Sequence, residues 1–354
     1  LFEEIEELNK AGVEDVEKRI KVSGASALLL PIHPAIDKGA EKLRGKNAIG
    51  TTGRGIGPCY EDKVARRGVR VGDLYDMENF KSRLKSLLDY RNFMLKNYYN
   101  EPEVSYESVL AYVEGIRDRL LAMVADVSEI LAEGRKANKK ILFEGAQGTF
   151  LDIDYGTYPF VTSSNTVAGG CVTGSGAGPL DIDYVLGIAK VYTTRVGGGP
   201  YPTELNDEVG EGIRKRGAEF GAVTGRPRRT GWYDAVAMRR AVTINSLTGL
   251  ALMKMDVLDG MDEVKICTAY KMKDGSIRQL PPLSAHEYEG ITPVYESMPG
   301  WKKSTFGVTK WEDLPVNAQK YIKRLEELSG AKVAILSTGP ERDQTIYLDD
   351  PFAD

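Results

Sequence analysis

Short apolar segments that alternate with helical segments constrain the fold of this chain more than any other feature of its sequence. Residues 250–253 (Leu-Ala-Leu-Met) and 333–336 (Val-Ala-Ile-Leu) predict buried strands, and residues 184–191 predict a third. Helices are predicted at residues 234–245 and 316–328. Apolar strands that alternate with helices favour the α/β class, with a largely parallel central sheet covered by helices on both faces.

Polar loops follow the predicted strands. Two further buried strands are predicted at residues 27–31 and 141–144, and polar loops begin after Glu144, Met253 and Leu336. Sheets of this class bind ligands at the carboxyl ends of their strands. We therefore expect these loops to contribute to a binding site.

The region from residue 76 to about residue 139 is predicted to be a helical insertion. Helices are also predicted at residues 1–8 and 34–44. Neither an internal repeat nor a low-complexity linker interrupts the sequence, so we expect a single domain over residues 1–354. Two apolar stripes at helical spacing are expected to face its core: Phe80, Leu84, Leu87 and Leu88, and then Val109, Val113, Ile116, Leu120, Val124, Val127 and Leu131.

The composition excludes several classes of protein. A net charge of −4 over 354 residues disfavours a nucleic-acid binder, which more often carries a basic domain, and no apolar run is long enough to span a membrane. Cys59, Cys171 and Cys267 are too far apart for a disulfide framework or a zinc knuckle, which indicates a cytoplasmic protein. With only two histidines a multi-histidine metal centre is excluded, and His33 is predicted to be structural.

The stretch 221–232 carries three arginines, Arg226, Arg228 and Arg229, in a loop that opens on glycine and is stiffened by Pro227. Guanidinium groups bind carboxylates and phosphates through two hydrogen bonds at once. An isolated arginine pair is more often a solvated turn. The number of similar loops elsewhere in the chain favours a site for several anions.

Glycine-rich loops at residues 50–58, 169–179 and 197–200 are the second signal for anion binding. Without side chains, their backbone amides can approach an anion closely. Each loop is weak evidence alone, because glycine loops are also plain turns. No phosphate loop that ends in Gly-Lys-Ser or Gly-Lys-Thr occurs in the sequence.

Lys254-Met255-Asp256 after a strand is the shortest form of a guanine-binding signal. A carboxylate can accept from both N1–H and the 2-amino group of guanine, and the lysine stem can cover the base while its ammonium stays in water. The tripeptide occurs by chance in many proteins, but the small polar loop 337–340 strengthens it. Gln147 and the run 162–166 are equally compatible with substrate contacts and with loops that satisfy their own backbone.

Several of these motifs are long, and they occur in the same order in adenylosuccinate synthetases. The chain resembles that family over essentially its whole length. The motifs that carry the resemblance are residues 50–58, 60–68, 143–148, 158–159, 162–165, 221–232, 254–256, 337–340 and 350–352.

The resemblance implies an enzyme, a GTP-dependent carbon–nitrogen ligase with a fold similar to that of P-loop NTPases. Members join IMP to L-aspartate with magnesium, by phosphorylating the 6-oxygen of IMP and then displacing the phosphate with the aspartate amine. It further implies roles for individual residues. IMP would be bound by Thr52, Gln147, Thr162 and Arg226, with Arg66 reaching the IMP of the partner subunit in a homodimer and Gln147 supporting catalysis.

The remaining roles implied by the resemblance concern aspartate and GTP. Aspartate would be bound by a closing loop of Ala222, Val223, Thr224, Gly225, Arg226 and Arg228. GTP would contact Arg228, Lys254, Met255, Asp256, Ser337, Thr338 and Gly339.

The chain departs from the family pattern at its start. The family's Gly-Asp-Glu-Gly-Lys-Gly-Lys loop and Gly-His-Asn-Ala-Gly-His segment, which supply the catalytic aspartate and histidine, do not occur here. We therefore expect an upstream segment that holds these residues and the magnesium ligands, no metal ligand within residues 1–354, and no turnover by these residues alone. A non-catalytic nucleotide-binding remnant is the alternative hypothesis, and an unrelated GTP-dependent switch protein is a third.

Overall fold

The computed structural model describes residues 1–221, 225–282 and 284–352 and divides the chain into two compact units. No helix in these ranges is long and apolar enough to cross a lipid bilayer. The expected single domain with a helical insertion stays a prediction. Unit 1 contains residues Leu1–Phe143, Thr162–Ser164 and Thr173–Ala177, and unit 2 contains Glu144–Val161, Asn165–Val172 and Gly178–Asp354.

Unit 1 is mainly helical. Its two short strands pair in parallel, Val22 with Val124 and Ser23 with Ala125. A 3-10 helix at Val71–Tyr75 precedes the long helix α5 (Met77–Met94), and a single π turn at Leu95–Tyr99 follows that helix. Its elements are α1 (Phe2–Lys10), α2 (Val16–Arg19), β1 (Val22–Ser23), α3 (Ile32–Arg44), α4 (Ile56–Val64), α5 (Met77–Met94), α6 (Tyr106–Leu121), β2 (Val124–Ala125) and α7 (Val127–Lys136).

The predicted helical region is confirmed, and its sequence explains where each helix begins. Asp76, Ser105 and Asp126 lie immediately before α5, α6 and α7, and each side chain accepts a hydrogen bond from a backbone N–H of the first turn. The first predicted stripe is fully buried in the core of unit 1. The second stripe is interrupted, because the chain leaves the helix after Leu121 and Val124 pairs in β2.

Both strands predicted within residues 1–144 are wrong. Around residues 27–31 the backbone makes one antiparallel bridge, Ala27 to Arg70, before α3 begins. Residues 141–144 form no strand, and Leu142 is 76% exposed. An apolar run of four or five residues becomes a strand only where a neighbouring strand pairs with it. In the described part of the chain, neither run has such a ladder.

The described residues of unit 2 form two larger sheets and a two-stranded ribbon of β4 (Thr193–Arg195) and β5 (Arg229–Gly231). A short helix, α8 (Gly169–Ser175), belongs partly to each unit. The other elements of unit 2 are β3 (Leu186–Lys190), β4 (Thr193–Arg195), α9 (Glu208–Arg216), β5 (Arg229–Gly231), β6 (Tyr233–Asp234), α10 (Ala235–Asn245), β7 (Gly249–Met253), β8 (Glu263–Lys271), β9 (Ile277–Arg278), β10 (Thr292–Pro299), α11 (Val316–Ser329), β11 (Lys332–Ser337) and β12 (Thr345–Tyr347).

The first sheet has the strand order β12-β11-β7-β3, and its strands β3, β7 and β11 confirm three of the five strands that the sequence predicted. β7 pairs in parallel with β3 on one side and with β11 on the other, whereas β12 runs antiparallel to β11. The burial of β7, whose Leu250 and Leu252 are fully buried, fits a strand that is covered on both faces. The predicted α/β class is confirmed.

The second sheet was not predicted. β8 pairs with β10 antiparallel and with β6 in parallel, and β9 pairs with the end of β8. β8 alternates only imperfectly between buried and half-buried positions, and β10 contains two prolines. Such a pattern gives a weak strand signal in a sequence.

Candidate functional site

Three parallel strands of unit 2 end at the same edge of the first sheet. Lys190 at the end of β3 lies opposite Met253 at the end of β7, and Leu336 of β11 lies opposite Leu252. The loops that follow Met253 and Ser337 are therefore neighbours, as the sequence analysis expected. The third predicted loop, after Glu144, does not follow a strand.

The loop after β7 presents a lysine whose ammonium is bound within the protein and a carboxylate that has no side-chain partner in the described ranges. Lys254 has a φ of 66° and precedes a 3-10 helix at Met255–Leu258. Its ammonium was expected in water, but it donates to the carbonyl of Gly217 at 2.5 Å and lies 3.2 Å from Glu219. Asp256 is half-buried, and no hydrogen bond or ion pair joins its carboxylate to another side chain of the described ranges. Burial raises the pKa of Asp256.

Met255 cannot present its side chain to a nucleotide, because that side chain is fully buried in the core of unit 2. The hydroxyls of the neighbouring loop are also committed. Ser337 donates to the carbonyl of Gly339 at 2.8 Å, and Thr338 donates to the carbonyl of Val308 at 2.8 Å. These bonds fix the shape of the loop, which leaves its backbone as the surface available to a base.

The arginine loop is closed by a short antiparallel pairing. The N–H of Gly221 donates to the carbonyl of Arg226, and the N–H of Arg228 donates to the carbonyl of Glu219. Arg226 is exposed, and Gly225 has a φ of 63°. The predicted aspartate contacts Ala222, Val223 and Thr224 lie outside the described residues.

The three arginines have different surroundings. Arg228 lies 2.7 Å from the carboxylate of Glu219. Arg229 makes a two-point pair with Glu204 and donates to the carbonyl of Gly199 at 2.9 Å. The guanidinium of Arg229 therefore binds the glycine turn after β4 and Glu204, so it has a structural role.

Glu219 is a residue that the sequence analysis missed. Its side chain is fully buried and contacts three cations, Lys190, Arg228 and Lys254. Burial would raise the pKa of this carboxyl, but hydrogen bonds from Lys190, Tyr192 and Arg228 lower it to about 2. The available signal was the arginine loop itself, since a charged side chain that becomes buried is normally paired with an opposite charge.

In unit 1, the glycine loop before α4 is held by two carboxylates of α3. Glu41 accepts from the backbone N–H groups of Ile49, Gly50 and Thr51 at 2.8–3.2 Å. Asp37 accepts from the hydroxyl of Thr51 and from the N–H of Gly55, both at 2.9 Å. The loop 50–58 was predicted to offer its backbone amides to an external anion, but those of Gly50, Thr51 and Gly55 already donate to carboxylates of the chain. The signal was present in the sequence, because residues four apart share one face of a helix.

The other predicted IMP contacts of unit 1 are accessible. Thr52 and Arg66 are exposed, and Thr162 is half-buried. A Cβ atom on Gly57 would lie 3.2 Å from the hydroxyl of Ser163, so the run 162–164 packs against the start of α4. The structure thus brings two of the predicted loops together within unit 1.

Gln147 belongs to unit 2 and is exposed in its loop. Nearby in sequence, Asp152 is fully buried and accepts hydrogen bonds from the N–H groups of Asp154, Tyr155, Thr166 and Val167. Burial raises the pKa of Asp152, but the four backbone hydrogen bonds outweigh this effect and lower the pKa below its ordinary value. This carboxylate, which the sequence analysis also missed, holds the end of the predicted 162–166 run.

Three of the predicted contact residues share an uncommon backbone conformation. Arg66, Gln147 and Lys254 have φ angles of 63°, 62° and 66°. A side chain in this left-handed region costs about 1–2 kcal/mol, and such residues cluster at binding sites. This observation is independent of the motifs that selected these residues.

The residues that the structure describes do not form a site that fits a magnesium ion. Across the described ranges, no three His, Cys, Asp or Glu side chains gather into a group that could hold a metal ion. His33 is structural, as predicted: its Nδ1 accepts from the N–H of Leu30, so its Nε2 donates to Asp62 at 3.2 Å.

Comparisons with known proteins agree with the resemblance in the sequence. Residues 1–346 match the family model for adenylosuccinate synthetase. The adenylosuccinate synthetases of Tolumonas auensis and Pasteurella multocida are 59% and 58% identical over 354 and 353 residues, which is 100% of this chain and 82% of each relative. The fully ligated adenylosuccinate synthetase of Plasmodium falciparum superimposes with a TM-score of 0.90 at 37% identity, over 98% of this chain and 82% of that one.

Proposed function

Since this chain belongs to the adenylosuccinate synthetase family, we propose that the loops described above bind IMP, L-aspartate and GTP. The reaction of the family is the GTP-dependent ligation of IMP and L-aspartate to adenylosuccinate, a step of AMP synthesis that releases GDP and phosphate. The chain is therefore an enzyme sequence of the ligase class. The specific residue roles below are our proposal.

The proposed IMP contacts are Thr52, Arg66, Gln147, Thr162 and Arg226. The exposure of Thr52, Arg66 and Gln147 supports this role, because an exposed polar side chain can reach a ligand without losing an internal partner. In the reaction that we propose, GTP phosphorylates the 6-oxygen of IMP and the aspartate amine then displaces the phosphate. The loop 222–228 binds the aspartate carboxylates, for which the arginine forks are suited.

The proposed GTP site lies at the strand ends of unit 2. The observation that carries it is the half-buried carboxylate of Asp256, which has no side-chain partner in the described ranges and follows β7 beside the Ser337 loop. Guanine supplies two adjacent donors, N1–H and the 2-amino group, that match one carboxylate. Arg228 and Lys254 add positive charge for the nucleotide.

The test is a change of nucleotide preference. Asp256→Asn replaces one acceptor oxygen by a donor, so it should weaken the use of GTP and favour xanthosine triphosphate, whose 2-oxo group accepts. The expected loss with GTP is about 1.5–3 kcal/mol, the value of a hydrogen bond to a charged group. Steady-state kinetics of the complete polypeptide with both nucleotides measure it.

The matched control is Asp262→Asn, since Asp262 is 91% exposed and pairs only with Lys302 among the described contacts. It should leave the preference for GTP unchanged. If Asp256→Asn also retains that preference, Asp256 does not bind guanine and the proposed site is wrong.

The family uses Mg²⁺ with GTP, but the side chains of the described ranges do not form a site that could hold a metal ion. The homodimer with Arg66 shared across subunits and the cytoplasmic location belong to the proposal. The chain spans 82% of the length of its relatives. The lack of turnover expected of residues 1–354 alone stays a prediction.

A further inference from the structure

Glu219 has no role among the ligand contacts of the proposed function. It is fully buried, yet its carboxylate contacts four side chains that come from separate parts of unit 2. Lys190 lies at 2.8 Å, the hydroxyl of Tyr192 at 2.5 Å, Arg228 at 2.7 Å and Lys254 at 3.2 Å. A carboxylate has about four lone-pair sites, so its hydrogen-bonding capacity is filled.

Two of the partners of Glu219, Lys190 and Lys254, lie at the strand ends of the candidate nucleotide site. Lys190 is the last residue of β3, and Lys254 follows β7, which pairs with β3 in parallel. Arg228 belongs to the arginine loop, and its own backbone N–H donates to the carbonyl of Glu219. One buried residue thus ties the arginine loop to the ends of two strands.

The local backbone is built around this contact. Gly217 has no side chain, and a Cβ atom there would collide with the hydroxyl of Tyr192. Lys254 adopts a φ of 66° and donates to the carbonyl of Gly217, and Ala218 has a φ of 47°. Left-handed conformations at non-glycine residues persist only where the surroundings enforce them.

The charges show what Glu219 does for its neighbours. Three cations surround one carboxylate, which leaves two positive charges in excess. Without the central negative charge, the cations would repel one another at short range in a partly desolvated site. With it, they stay together and still present a net positive field to an anion.

We propose that Glu219 is a positioning residue for the nucleotide, which holds Lys254 and Arg228 in the orientation that binds GTP. Lys190 completes the cluster as a third cation at the same edge. This inference rests on the proposed function, in which Lys254 and Arg228 contact GTP. Glu219 itself, being buried and saturated by protein donors, does not touch the nucleotide.

The test compares Glu219→Gln with Lys254→Met in the complete polypeptide. Glu219→Gln keeps the shape of the side chain but removes its charge, so the KM for GTP should rise about tenfold to hundredfold, as expected for lost hydrogen bonds to a charged group. The KM for IMP should stay nearly unchanged. Glu219→Asp, which restores the charge on a shorter stem, should recover part of the affinity for GTP.

The matched control is Glu296→Gln. Glu296 also pairs with an arginine, Arg324, at 2.8 Å, but it lies in β10, away from the strand-end loops. It should leave the KM for GTP unchanged. The thermal midpoint of each variant is measured beside the kinetics.

Three results would overturn the inference. The first is an unchanged KM for GTP in Glu219→Gln together with a raised KM for GTP in Lys254→Met. This result would refute the role of Glu219 and leave the proposed GTP site standing. The second is an equal loss for GTP and IMP that follows a lowered thermal midpoint and is not recovered in Glu219→Asp, which marks a structural role. If neither variant changes the KM for GTP, the proposed GTP contacts are wrong as well.

Discussion

The buried ion pair of unit 1 makes the strongest prediction for stability. Asp62 and Arg91 are both fully buried. The guanidinium of Arg91 binds the carboxylate of Asp62 through two N···O contacts of 3.0 and 2.8 Å. Arg67 and His33 also donate to Asp62. Asp62→Asn preserves the volume of the side chain but leaves the charge of Arg91 buried beside a neutral group.

Removing one partner of a buried ion pair costs about 3–5 kcal/mol. Arg91 keeps a second carboxylate, Glu61, at 3.0 Å, and the side chain of Glu61 is 51% exposed. We therefore expect the low end, about 3 kcal/mol in the free energy of unfolding. With a denaturant dependence of about 3 kcal/mol per molar urea, the midpoint should fall by about 1 M.

The assay is urea unfolding at pH 7 followed by hydrogen exchange with mass spectrometry, so that peptides of unit 1 and unit 2 are monitored separately. The double variant Asp62→Asn/Arg91→Met should be less destabilised than the sum of the single variants, because no unpaired charge remains. A loss below about 1 kcal/mol in Asp62→Asn, the value of a surface pair, would refute this reasoning.

The same pair predicts a pH dependence. Burial would raise the pKa of Asp62, but hydrogen bonds from His33, Arg91 and Arg67 hold it below its ordinary value of 3.8. A lowered pKa stabilises the folded state above the ordinary value, and this stabilisation is lost as the pH falls through the folded-state pKa. The difference in stability between wild type and Asp62→Asn should therefore be complete at pH 7 and shrink below pH 3.8.

Two further predictions concern the proposed IMP contacts. Arg66→Leu should raise the KM for IMP and leave the KM for GTP nearly unchanged. If Arg66 acts across a dimer, mixing the Arg66→Leu variant with a second IMP-site variant should restore activity in hybrid dimers. No recovery in properly mixed dimers would contradict a role of Arg66 across the dimer. Glu41→Ala removes the carboxylate that accepts from three loop amides. The KM for IMP should therefore rise about tenfold, the value of one hydrogen bond to a charged group. Glu7→Ala on α1 serves as the control. An unchanged KM for IMP in Glu41→Ala would show that the loop of Thr52 keeps its shape without this carboxylate.

Two strands of the parallel sheet, β7 and β11, could be predicted from the sequence because they are central. Residues 250–253 and 333–336 are apolar throughout, since a strand covered on both faces has no polar side to break the pattern. Residues 141–144 have a similar pattern, but they form no strand. Whether such a run becomes a strand depends on a pairing neighbour, which no local pattern records.

The sequence by itself determined the fold class, the strand-end loops and the family, because these depend on periodicity and on motifs that are continuous along the chain. Only the tertiary structure identified Glu219, which lies 29 residues from Lys190 and 35 from Lys254 in sequence but contacts both. It also showed that the hydroxyls of Ser337 and Thr338 are committed to their own loop. Counter-charges and hydrogen-bond partners are chosen by proximity in space, and the folded chain alone sets that proximity.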